Sequence, residues 1–227
     1  YLQTGQRGNR DDFSQSDVRG LMKDKMLVRI VLVILGSAVM GLSINLLVAA
    51  GFGLDPLSLF QAGLCNVFHI SLGQASQLLM TGIIIILFFL DRKRIGIGSI
   101  LNSILVGAFV NFFAAGFPAG AHVPLWGRLL SAAGGFLFMG MGIGIYISAR
   151  LGEAGIDAMM MYFMDKYQYS LRNTRITLDV LLAAFGFILG GCLGWATLIS
   201  MAVNGVIIQA TVHIMKQLIR INYKGVE

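Results

Sequence analysis

The 227-residue chain is 56% hydrophobic and only 12% charged, with a mean hydropathy of +0.78, outside the range of water-soluble domains. From Ile30 to Leu90 the only carboxylate or cationic side chain is Asp55, and from Ile176 to Met215 it is Asp179, so helices built from these segments have no polar face to turn to water. The net charge of +6 is gathered into clusters, at Arg19, Lys23, Lys25 and Arg29, at Arg92, Lys93 and Arg94, and at Lys216, Arg220 and Lys224; that pattern belongs to membrane topology, with anionic lipid headgroups as its other use, and excludes a nucleic-acid partner.

Residues 1–25 are polar and lack the apolar core of a cleavable signal, so they read as a partly disordered cytoplasmic tail or as vector sequence upstream of Met26. Six segments then carry enough apolar residues to cross about 30 Å of hydrocarbon: Val28 to Ala50, Gln74 to Leu90, Ile97 to Phe117, Leu125 to Ala149, Thr174 to Gly191 and Ala196 to Leu218. Between the first two lies Gly51 to Ser71, too apolar for an aqueous loop and too short for a span. It predicts a re-entrant or interfacial helix that starts at Pro56 with Asp55 as its cap. The segment from Gly152 to Tyr169 has the same place after the fourth span. With the N-terminus inside, Arg92 to Arg94, then Arg150, Lys166, Arg172 and Arg175, then Lys216 to Lys224 all fall on the cytoplasmic side, which also puts the C-terminus there.

Sliding the chain on itself by 98 to 102 residues aligns Met40-Gly41 with Met139-Gly140, Gly53 with Gly152, Asp55 with Asp157, Ser71-Leu72 with Ser170-Leu171, Gly96 with Gly194 and Gly107 with Gly205. The expected fold is therefore all-α, a polytopic membrane protein of six transmembrane helices in a 3+3 inverted-topology repeat, with two short re-entrant or interfacial helices. The first membrane repeat occupies residues 26–117 and the second residues 125–222. Three crossings per half force the second copy to enter the bilayer in the opposite sense, the architecture of many secondary transporters; duplication merely for close glycine packing is the other reading.

The residues Gly51-x-Gly-Leu-Asp-Pro, Gly96-Ile-Gly-Ser-Ile-Leu-Asn with Gly107, Gly152-x-x-Gly-Ile-Asp-Ala-Met-Met, Ser170 to Arg175, and Gly190-Gly-Cys-Leu-Gly-Trp-Ala-Thr together resemble the YczE/YyaS/YitT family of bacterial integral membrane proteins, over roughly residues 26–220. Gly155-Ile156 and Trp195-Ala196 depart from the pattern at two turns. The resemblance implies a bacterial cytoplasmic (inner) membrane protein with a transport or export role, and without the soluble regulatory domain of YitT-like members.

Asp55 is the first candidate for solute or ion binding, with its N-cap role as the structural alternative. Asp157 stands at the matching place with Glu153 before it, and Arg175 and Asp179 form an i,i+4 pair on one helix face. Asn66, Asn102, Asn111 and Asn204 complete the candidate site; such neutral groups also join helices, as do Asn45, Gln74 and Gln209. His69 reads as a hydrogen-bonded anchor near the interface. No nucleotide loop, metal cluster or nucleophile and base arrangement is present, Gly140-Met-Gly-Ile-Gly reads as helix packing, and Cys65 and Cys192 read as packing residues. No enzyme activity, cofactor or metal is expected. The expected function is a secondary transporter or exporter of a small solute in the lipid bilayer. The alternatives are a non-transporting assembly partner of another membrane protein and a substrate-binding subunit of a multicomponent transporter, with a homo-oligomer left open.

Overall fold

A computed structural model describes residues 8–116, 124–168 and 171–224. Among them are eight α-helices and no strand: α1 Gly8–Ala50, α2 Pro56–Phe68, α3 Leu72–Leu90, α4 Ile97–Ala114, α5 Leu125–Ala149, α6 Gly155–Tyr167, α7 Leu171–Ile188 and α8 Trp195–Lys224, with one 3₁₀ turn at Arg92–Arg94. The connection between the third and fourth expected crossings, residues 118–124, falls almost wholly outside the described residues, as does the repeat position Ser170. Helix α1 begins at Gly8, so the helix extends well upstream of Met26 into the segment read as a tail.

Five stretches are long and apolar enough to cross a membrane: Met26–Ala50, Leu72–Leu90, Ile97–Ala114, Leu125–Ala149 and Trp195–Met215. The sixth expected crossing, α7, is as long as α4 but holds Arg172, Arg175 and Asp179 in its first half. Large apolar side chains face outward, among them Phe89, Phe112, Trp126, Phe187, Ile188 and Trp195, a surface suited to contact with lipid.

The interior is built on α1 and α5. Gly36 faces Gly142 so closely that a Cβ at Gly36 would lie 2.8 Å from the Gly142 carbonyl oxygen, and Gly135 receives Leu47. Small residues let the two backbones approach where no hydrophobic effect drives them together. Polar side chains add to this: Ser43 Oγ donates across the α1–α5 seam to the Gly135 carbonyl (2.7 Å), and Asn45 Nδ2 donates to the carbonyls of Gly41 in its own helix (2.9 Å) and Val110 in α4 (3.0 Å). Helix α4 packs on α1 as α8 packs on α5, with Gly41 against Phe109 and Gly140 against Ile207.

Helices α2 and α6 are each 13 residues long, about 20 Å at the α-helical rise, too short to span. Each starts after a break in the chain. The left-handed positions around these breaks recur 99 residues apart: Gly51, Gly53 and His69 in the first half, Arg150, Gly152 and Gln168 in the second. The breaks are clasped across the halves. Gly98 N donates to Leu151 O (2.8 Å) and Ala196 N to Phe52 O (3.1 Å), while Ser99 Oγ donates to Glu153 O and Thr197 Oγ1 to Leu54 O (2.6 Å). The two turn glycines are equally matched, since a Cβ at Gly53 would strike Gly194 at 2.7 Å and one at Gly152 would strike Gly96 at 2.7 Å.

Arg128, in the first turn of α5, closes the end of α1: Nε donates to Ala50 O (2.8 Å) and Nη2 to Gly51 O (3.2 Å), with the guanidinium 4.5 Å from the Phe52 ring centroid. A cation at the end expected to be poor in positive charge is thus used on otherwise unpaired helix carbonyls.

Removing one clasp tests this frame. Thr197→Val strands the Leu54 carbonyl and is expected to cost about 1–3 kcal/mol, read as a lowered thermal midpoint in detergent; Thr197→Ser should stay near the parent. Equal midpoints for Thr197→Val and the parent would remove the clasp from the account.

Candidate functional site

The breaks bring the N-termini of α2 and α6 into the interior, where they border a central cavity with about 110 Å³ open to water centres. That is several times the room one water needs. Every helix contributes, and the contributions come in mates: Met40 and Ile44 from α1 with Met139 and Ile143 from α5, Asn102 and Val106 from α4 with Ser200 and Asn204 from α8.

At α2, Asp55 is the N-cap expected from sequence, its Oδ2 accepting from Ser58 N at 3.3 Å with Pro56 at the first helical position. Capping uses one carboxylate oxygen only; Asp55 Oδ1 is buried without a hydrogen-bond partner. The cap of α6 is Ala154, which offers no side chain. Asp157 lies in the first turn instead, and the 99-residue register pairs it with Ser58, not with Asp55. The alignment of Asp55 with Asp157 is corrected accordingly: both acids line the cavity, from non-equivalent positions.

Arg175 and Asp179 on α7 face the cavity as an ion pair, Nε to Oδ2 at 3.9 Å. Asn102 also lines it and accepts from Ser37 Oγ at 3.0 Å, and Asn204 lines it with Oδ1 unpartnered. Six candidates, Asp55, Asn102, Asp157, Arg175, Asp179 and Asn204, thus meet at one place. Asn66 and Asn111 do not. Asn66 Nδ2 donates to Gly190 O (2.7 Å) and Asn111 Oδ1 accepts from Gly73 N (3.2 Å), so both join helices away from the cavity. Asn45 is likewise helix glue, and Gln74 closes a capping box with Ser71 at the start of α3.

Sequence reasoning missed Gln61 and Ser76. Gln61 is 1% and Ser76 0% exposed, and Gln61 Oε1 and Ser76 Oγ have no partner. A glutamine two turns into an otherwise apolar short helix was the available signal for the first. Ser76 carries none, because a single serine in a membrane helix is common.

One end of the site is fastened by ions. Arg94, just before α4, pairs with Asp91 (2.9 Å), with Glu153 before α6 (3.5 Å) and with Asp165 on α6, joining the α3–α4 turn to the second half. Burial pushes the Glu153 carboxyl above its ordinary value of 4.5, and Arg94 offsets this only in part. A raised carboxyl favours the folded state at low pH and loses that advantage as pH rises through its folded value. Glu153→Gln is therefore expected to hold or raise stability at neutral pH, and the difference should shrink as pH falls toward 4.5; thermal midpoints at a series of pH values check it, and a gain that grows on acidification would contradict it.

Residues 27–213 match a family described as a family of unknown function, DUF6198. The uncharacterized membrane protein YczE of Bacillus subtilis is 27% identical over 83% of this chain and 87% of its own length. An uncharacterized protein of Haemophilus influenzae is 24% identical over 82% and 84%, and the uncharacterized protein YyaS of B. subtilis 19% over 81% and 92%. No solved structure matches the chain significantly. With the family covering most of its length and five apolar helices of membrane-crossing length, this is a membrane protein of the DUF6198 family, related to YczE and YyaS.

Proposed function

We propose that the protein is a secondary transporter or exporter that carries a small solute through the central cavity. The carrying observation is the cavity itself: a pocket with buried, unpartnered polar atoms, set between two short helices that start inside the protein and between two halves joined by mated contacts. Broken or discontinuous helices whose N-termini face a site at the repeat interface are the arrangement from which inverted-repeat transporters work.

In this reading the halves form a 3+3 inverted repeat. Helix α7 is the sixth crossing, with Arg175 and Asp179 turned to the cavity instead of to lipid. Both termini lie on the cytoplasmic side of a bacterial inner membrane, as the Lys and Arg clusters support. Alternating access follows from one half rocking on the other about the α1–α5 seam.

Two measurements test the proposal. In proteoliposomes challenged with a panel of small metabolites, at least one solute should cross, and a disulfide between cysteines placed at Ile83 and Gly155, where the Gly155 Cβ would lie 3.4 Å from Ile83 Cγ2, should arrest that flux until reduced. Unchanged flux with the bridge closed, or no solute moved or bound, sinks the reading. In a cysteine-free background, Lys93→Cys and Gly116→Cys should label from opposite sides of the membrane; same-side labelling removes the six-crossing topology.

A further inference from the structure

The cavity is symmetric in backbone and asymmetric in chemistry. In the 98- to 99-residue register, polar lining residues keep a polar mate at Asn102 with Ser200 and Ser58 with Asp157, but four have a mate of a different kind: Asp55 pairs with Ala154, Gln61 with Met160, Ser76 with Arg175 and Asn204 with Val106. Those same four polar residues hold four of the five buried side-chain atoms without a hydrogen-bond partner among the described residues, namely Asp55 Oδ1, Gln61 Oε1, Ser76 Oγ and Asn204 Oδ1. Each residue is at most 7% exposed. All four atoms are oxygens. A carboxylate oxygen only accepts, whereas an amide end can turn to present oxygen or N–H and a hydroxyl does either, so the fixed demand is that of Asp55 for a donor, which the other three groups can join.

The acid-base balance of the lining points the same way. It holds three carboxyl groups, Asp55, Asp157 and Asp179, against one guanidinium, Arg175. The N-termini of α2 and α6 add roughly half a positive charge each. Counted with all three carboxyls ionised, about one negative charge is left over once Arg175 and the two helix ends are set against them, so a bound cation is what would hold the third carboxyl in its charged form. A bare alkali ion would satisfy that charge but would leave the apolar walls, with Met40, Ile44, Met139 and Ile143, without an occupant.

We propose that the cavity's ligand is a small monovalent ammonium ion bearing an apolar body, its N–H groups held by Asp55 together with oxygens from among Gln61, Ser76 and Asn204. This rests on reading the cavity as a solute site. It does not rest on flux.

The test is binding to purified protein in detergent at fixed ionic strength. Propylammonium should raise the thermal midpoint and bind in calorimetry, while propanol, propionate and alanine bind more weakly or not at all. Asp55→Asn keeps a capping side chain but removes the charge, and Gln61→Met inserts the residue type found at the mate position; each should weaken propylammonium binding on the order of tenfold or more. Asn66→Ala, away from the cavity, should leave it unchanged. Tighter binding of propionate, propanol or alanine, equal stabilisation by sodium or potassium chloride alone, or unchanged affinity in both cavity variants overturns the proposal. Binding without any flux would keep the ammonium site and remove the transporter, whereas flux of an anionic or neutral solute, with no ammonium binding, would do the reverse.

Discussion

Backbone that leaves the helix inside a bilayer must find its hydrogen bonds in protein, because lipid offers none. The chain breaks its helices twice among apolar elements, at Gly51 to Leu54 and at Leu151 to Ala154, and each time the other half supplies partners, joined at Gly152 by the hydroxyl of Tyr146 from the same half. Phe52 and Leu54 carbonyls are taken by Ala196 and Thr197, and Leu151 and Glu153 carbonyls by Gly98 and Ser99. Glycine is required at the crossing points, since Gly53 and Gly152 combine positive φ with backbone neighbours closer than any Cβ tolerates. Reciprocal satisfaction of the breaks holds the halves in one register, and the register fixes where α2 and α6 begin.

Starting those helices inside the protein is what makes the cavity. A helix that began at the surface would hand its free amide groups to water; here the first turn of α2 is met by Asp55 and that of α6 has no side-chain cap. The cost is one carboxylate kept at depth, offset by the capping bond and the positive end of the helix. Only one of its oxygens is used in that task. Capping and ligand binding, which the sequence leaves as alternatives for Asp55, are therefore compatible uses of two different atoms.

Much of this frame is legible in the residues, and the gaps have physical causes. Gly53-Leu-Asp-Pro announces a break, a cap and a helix start because each residue type is locally suited to one backbone geometry. Arg175 and Asp179 announce a pair by helical spacing alone. The second break is spelled Gly152-Glu-Ala-Gly, with its acid moved into the helix, so matching Asp55 to Asp157 by type misses the backbone equivalence by one turn. Asn66, Asn111 and Asn204 are indistinguishable along the chain, because whether an asparagine joins helices or faces a cavity depends on contacts such as Asn66 to Gly190. Helix α7 fails as an ordinary apolar span for the same reason that it matters: it is charged, and Arg175 and Asp179 line the cavity. Two of the three partners of Arg94, Glu153 and Asp165, lie in the other half, beyond anything local spacing can show.

The two seams that flank the cavity are equivalent by position but not by packing. Between α2 and α7 the contact is backbone to backbone: a Cβ at Gly186 would lie 2.7 Å from Phe60 N, and one at Gly191 2.6 Å from Leu59 O. Such a contact has little room to slide without losing its fit. The corresponding seam between α3 and α6 is made of side chains, Ile83, Leu87 and Ala158 with Leu79, Met159 and Tyr162 around them, and methionine repacks readily. Arg94 ties down the end of that softer seam with charges that water can replace, since Asp165 is largely exposed. If the halves rock, the seam that yields first is therefore the one held by flexible side chains and a hydrated ion cluster, and the glycine-packed seam is the one that stays closed.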